Sequence, residues 1–145
     1  MIARNSSLKT FKIIDHTGDM GIIVYGEDLK ELFFNASRAF FSLITHLNRI
    51  RSTVDHTIVL KGENLDELMV SWLGELLYLF DAKGMLFRKF YIEEVNKYGL
   101  KATVRGEPFQ PERHVLKRGI KAVTYHQVKV EKKGGKWEGR IIFDL

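Results

Sequence analysis

Two carboxylates, an imidazole and a hydroxyl stand close together near the start of the chain, in Asp15-His16-Thr17-Gly18-Asp19-Met20-Gly21-Ile22. A second oxygen-rich group lies at the other end, where Asp144-Leu145 follows directly on the apolar run Ile141-Ile142-Phe143. Chain ends are ordinarily frayed. An apolar run continuing to the last residue instead predicts a strand that fixes the Asp144 carboxylate, the Leu145 carbonyl and the α-carboxylate in one cluster. Such oxygens suit Ca²⁺ or Mg²⁺ better than Zn²⁺. The two segments together suggest one shared site for a hard cation. The plainer alternative is an Asx turn, with Asp15 and Asp19 capping loop amides, His16 merely hydrogen-bonded and Asp144 solvated.

His126, in Ala122-Val123-Thr124-Tyr125-His126, is a candidate pocket residue, as a phosphate contact or a general base. A satisfied core histidine is the competing reading. His46, His56 and His114 are scattered and show no ligand spacing. The segment 105–121 carries Arg113, His114, Lys117, Arg118 and Lys121, a basic stretch able to face RNA or an acidic protein surface. No Ser lies in a nucleophile elbow, and no phosphate-binding or dinucleotide-binding glycine motif is present.

These groups must be positioned by a chain of 145 residues that is 45% hydrophobic and 28% charged, as expected for one globular domain, 1–145, with 1–9 as a flexible N-terminal segment. The absence of cysteine excludes disulfides and thiolate metal sites. No apolar run is long enough to span a bilayer, and 1–9 lacks the apolar centre of a secretion signal, so the expectation is a cytoplasmic protein. The net charge of +5 permits a nucleic-acid or acidic partner without requiring one.

Phe11–Ile14 and Ile22–Tyr25 read as strands flanking the first motif. Asp28 with Glu31, and Asn64 with Glu67, are helix-start signals. The first helix presents Leu32, Phe33, Ala36, Phe40, Leu43, Ile44 and Leu47 at helical spacing. The second presents Leu65, Leu68, Trp72, Leu73, Leu76 and Phe80, widened by Met69 and Leu79, and stops at Gly84. Strands are predicted at 54–60, 88–95, 100–106, 122–131 and 136–143, the last two forming a hairpin about Gly134-Gly135. The order ββαβαββββ has too few helices to cover a doubly wound parallel sheet, which predicts an α+β fold with helices packed against or between sheets. A continuous last hairpin would set Phe143 opposite His126, and Asp144 near Tyr125.

With these elements in place, the block His16 to Gly21, the Leu-rich helix 65–80, the block Lys121-Ala122-Val123-Thr124-Tyr125-His126 and the terminal Asp144-Leu145 together resemble the archease family, in family order over nearly the whole chain. Gly18 stands where the family more often has Ala. The resemblance implies an archease-like sandwich of two main helices packed with β-sheets. It also implies a metal site of Asp19, Asp144 and Leu145 holding a divalent cation, with Ca²⁺ expected first and Mg²⁺ or Mn²⁺ as alternatives. Asp15, His16 and His126 would then shape the pocket. The implied role is in tRNA splicing, as a protein partner of the GTP-dependent RNA ligase that joins 3′-phosphate and 5′-hydroxyl ends, promoting its guanylylation and repeated turnover. A tRNA methyltransferase is a further implied partner, and direct RNA contact is open. The competing function is a metal-dependent phosphohydrolase using Asp15, Asp19, His126 and Asp144.

Overall fold

A computed structural model describes residues 10–16 and 18–145, His16 through its backbone alone. Thr17 and the expected flexible segment 1–9 lie outside the described residues. The chain builds two antiparallel sheets with two helices between them. Strands β1 (Phe11–His16), β2 (Asp19–Gly26), β6 (Ala122–Lys133) and β7 (Lys136–Asp144) form the first sheet in the order β1-β2-β7-β6. Strands β3 (Val54–Lys61), β4 (Met85–Asn96) and β5 (Gly99–Pro108) form the second in the order β3-β5-β4.

The helices start where the sequence signals them. Asp28 accepts from the Glu31 amide at 2.8 Å and opens α1 (Leu29–Ile44). Glu31 reaches back to the Glu27 amide at 2.8 Å, one residue earlier than the ordinary capping box. Asn64 likewise accepts from the Glu67 amide at 2.8 Å and opens α2 (Leu65–Lys83). Each cap satisfies a helix N–H that has no partner within the helix.

Adjacent positions on α1 point to different sheets. The Phe40 ring lies 5.7 Å from that of Phe143 in the first sheet, while Phe41 lies 5.9 Å from both Phe87 and Phe90 in the second. A helix between two apolar walls needs more than one apolar stripe, and α2 meets the same demand with Leu68, Met69, Trp72, Leu73, Leu76, Leu77 and Leu79 all buried. The Trp72 indole also donates to the Phe33 carbonyl at 3.1 Å, tying the helices together. The α+β class and the element order thus match the sequence expectation, except that α1 ends at Ile44 and Leu47 opens a separate 3-10 turn, Leu47–Arg49.

One register differs from that expectation. Lys129–Lys133 pair with β7 as a tight turn at Gly134-Gly135 requires, both glycines having positive φ (57° and 85°). The ladder then breaks between Thr124 and Lys129, where residues 125–128 face a single β7 residue, Ile141. Beyond this wide bulge Val123 stands opposite Phe143 and Ala122 opposite Asp144. His126 therefore lies inside the bulge, and Asp144 is not beside Tyr125. Gln127 at φ 55° supplies the sharp backbone turn the insertion needs.

Candidate functional site

The hairpin β1–β2 and the end of β7 bring the two acidic segments together. Asp19, the first residue of β2, pairs with His16 of β1 on one side and with Asp144 of β7 on the other. Directly opposed residues share a sheet face with Cβ atoms about 5 Å apart. Met20, Ile22 and Val24 alternate with Asp19 and face the helices, so Asp19 and Asp144 lie on the opposite face, away from them. Asp144 and Leu145 are exposed. The Asp144 carbonyl accepts from the Lys121 amide at 2.8 Å, which holds the strand end in place.

Two carboxylates directly across a strand pair repel one another. Asp19 Oδ1 is moreover buried with no hydrogen-bond partner among the described residues. A cation between the two carboxylates answers both costs, and the oxygens of Asp19, Asp144 and Leu145 are the hard donors that Ca²⁺ or Mg²⁺ takes. Among the described residues no group of three or more His, Asp or Glu converges to hold a metal.

The remaining candidates are placed less directly. Asp15 pairs with Met20, which puts it on the helix-side face and not with Asp19. His16 pairs with Asp19 through the backbone. His126 is exposed in the bulge, where its amide donates to Thr124 Oγ1 at 3.2 Å while Thr124 itself donates to the Ile142 carbonyl at 3.0 Å. The bulge thus anchors at Thr124 and projects Tyr125 and His126 outward from the sheet edge.

The segment 109–121 is less a basic display than a strap. Lys117 and Arg118 donate to the Ser42 and Leu43 carbonyls at 2.9 and 3.4 Å, closing the C-terminal end of α1 where cations also complement the helix dipole. Arg113 and His114 turn inward to Glu107. The Glu107 Oε2 accepts from the Arg51 amide at 2.7 Å and from His114 Nε2 at 2.9 Å, while Oε1 accepts from Arg113. His114 Nδ1 accepts from the Gln110 amide at 2.9 Å, so the ring carries its proton on Nε2. Burial alone raises the Glu107 carboxyl, but the Arg51 amide, His114 and Arg113 together outweigh it and hold the group below its ordinary value. Sequence reading missed this cluster because Arg51 lies 56 residues from Glu107 and no local spacing joins them.

This arrangement defines an α+β sandwich that apposes two carboxylates at one exposed strand end. The sequence profile of the archease protein family matches residues 11–145, and the chain belongs to that family. It is 36% identical to an archease of Methanosarcina mazei, over 94% of this chain and 97% of that protein. It is likewise 36% identical to an archease of Pyrococcus furiosus, over 95% and 100%. The solution structure of Methanobacterium thermoautotrophicum protein 1598 is 32% identical and superposes with a TM-score of 0.77, covering 95% of this chain and 100% of that one. A Thermotoga maritima archease, described as a possible chaperone, shares the fold at 22% identity with a TM-score of 0.60, over 92% and 96%. No helix among the described residues is long and apolar enough to cross a membrane.

Proposed function

We propose that the chain is a non-catalytic partner of the GTP-dependent RNA ligase, promoting guanylylation and repeated turnover through a cation held at Asp19, Asp144 and Leu145. Family membership supports the reading. The observation that carries it is the apposed carboxylate pair with a buried, unpartnered Asp19 Oδ1 at an exposed tip. Asp19 and Asp144 hold the cation, while exposed Tyr125, His126 and Leu145 form the surface a partner meets. The bound cation, with Ca²⁺ the first candidate, supplies charge neutralisation near a nucleoside triphosphate. What the chain itself contributes is positioning. A group fixed by a paired strand end needs little reorganisation when it enters another protein's active site.

The test is RNA ligation with the ligase substoichiometric to its substrate, with and without this protein. More than one product per ligase is expected with the wild-type chain, and about one with Asp19→Ala or Asp144→Ala, whose melting curves should show a folded protein. Equal stimulation by wild type and both variants at limiting cation would sink the proposal. A second reading, carried by the family resemblance, is a chaperone for an RNA-modifying enzyme such as a tRNA methyltransferase; the Thermotoga maritima protein is itself described as a possible chaperone. That reading gains if the wild-type chain leaves ligase turnover unchanged yet raises the soluble yield of such an enzyme.

A further inference from the structure

An open surface depression of about 340 Å³ shares no residue with the carboxylate tip and is lined by exposed His46, Asn48, Arg49 and Val115 and by half-buried Arg113. Its polar lining contains an imidazole, an amide and two guanidinium groups, and no carboxylate. Glu107 lies behind Arg113, but its oxygens are already occupied by Arg113, the Arg51 amide and His114. Arg113 spends Nη2 on Glu107, while its Nη1 is buried without an acceptor among the described residues. That Nη1 is closed to solvent and does not open onto the depression, where Arg49 presents the exposed guanidinium. The Arg49 side chain takes part in no ion pair or hydrogen bond among the described residues, although its carbonyl faces His114 Nε2 at 3.2 Å.

The geometry points to a binding site for a phosphoryl group in this depression. The unpaired Arg49 guanidinium fork matches two oxygens of a tetrahedral oxyanion, the bidentate contact to which Arg is suited, and Arg113 adds positive charge beside it. The donor set is richer than one planar carboxylate can use. Asn48 and His46 add neutral or switchable donors at the rim. The depression is open enough to admit more than a bare phosphate, and Val115 offers an apolar wall to the attached group. The pair Glu107–Arg113 fixes the guanidinium before any ligand arrives, which lowers the ordering cost of binding. The site stands independently of the cation at Asp19 and Asp144.

The test is calorimetric titration of the full chain at low salt with inorganic phosphate, with a nucleoside monophosphate and with a short oligouridylate. Arg49→Gln and His46→Ala are the variants, since neither side chain supports Glu107, and melting curves check that each is folded. Saturable phosphate binding, weakened about tenfold or more by Arg49→Gln (a loss of about 1.4 kcal/mol) and less by His46→Ala, is expected. Tighter binding of the mononucleotide than of the oligomer assigns the site to a free phosphomonoester. The reverse order assigns it to the phosphates of a strand. Absence of saturable phosphate binding by the wild type up to about 10 mM, or binding unchanged in both variants, overturns the proposal.

Discussion

The carboxylate pair at Asp19 and Asp144 and the buried Glu107 cluster make opposite demands on charge. Without a cation the facing aspartates oppose folding, by about 0.2–1 kcal/mol for like charges directly across a strand pair. Asp144→Asn should therefore raise Tm by a few degrees in chelator, since about 1 kcal/mol moves Tm by about 2–4 °C in a chain of this size. In Ca²⁺ the order should reverse, because a cation at about 100 times its Kd adds about 2.7 kcal/mol to the wild type alone. Melting curves with and without Ca²⁺ decide it, and parallel shifts in both proteins would remove the cation from this pair. Glu107 works the other way, since its charge is wanted. Its folded value lies below the ordinary 4.5, so its stabilisation is complete above that value and is lost as pH falls through the folded one. Glu107→Gln strands Arg113 and should cost about 3–5 kcal/mol near neutrality. The gap to wild type should narrow as pH falls below 4.5, and urea melts showing a constant gap down to about pH 3 would contradict the linkage.

Among the elements, β6 departs furthest from a regular strand, and the departure is confined to the four residues 125–128 between Thr124 and Lys129. Ala122–Thr124 pair with Ile142–Asp144 on one side of it, and Lys129–Lys133 pair with Lys136–Arg140 on the other. Deleting residues 125–127 should join the two halves in a continuous ladder while keeping Asp144 opposite Asp19. The proposed partner surface at Tyr125 and His126 would be gone. The expected outcome is an unchanged Ca²⁺ shift in Tm with stimulation of ligation reduced several-fold. A deletion that stimulates as well as wild type would show that the bulge does not meet the ligase. The bulge also marks the boundary of what sequence reveals. Period-2 and helical spacing, the Asp28 and Asn64 caps and the Gly134-Gly135 turn were all readable because each is set by residues a few positions apart. The apposition of Asp19 and Asp144 was foreseen from their chemistry. The bulge was not, since Tyr125–Val128 carry no glycine or proline and Gln127 adopts its positive φ under the demand of pairing on both sides. The Glu107 cluster was equally hidden, because Arg49, Arg51, Arg113 and His114 meet only once the sheets are assembled. Gly106 was read simply as the end of a strand. A Cβ there would lie 1.8 Å from the Leu86 carbonyl oxygen, a close approach set by the β4 irregularity at Phe87/Lys89.

Across the molecule, the strap 109–121 joins the second sheet to the first and passes both candidate sites. Its amides are tied at Phe109 to the Gly84 carbonyl (2.7 Å), at Lys117 to Ile44 (2.7 Å) and at Lys121 to Asp144 (2.8 Å). Arg113 and Val115, which line the depression, lie between the first and second of these ties, and the third ends on the aspartate proposed to hold the cation. Since α1 follows β2 and runs back antiparallel to it, the C-terminal end of α1 and the ends of β2 and β7 bearing Asp19 and Asp144 lie at the same end of the fold, as the Phe40–Phe143 contact reflects. A cation that stiffens the end of β7 should therefore hold the strap at its Lys121 tie. Exposed Val115 and Leu116 flank basic residues that trypsin cuts, so cleavage after Lys117, Arg118 and Lys121 reports local opening of the strap. Ca²⁺ is expected to slow this cleavage several-fold in the wild type and to leave it unchanged in Asp19→Asn. Glu107→Gln, which frees the other end of the strap, should speed cleavage whether or not Ca²⁺ is present. If Ca²⁺ leaves the wild-type cleavage rate as it was while still raising Tm, the cation stabilises the sheet without tightening the strap, and the two sites act independently.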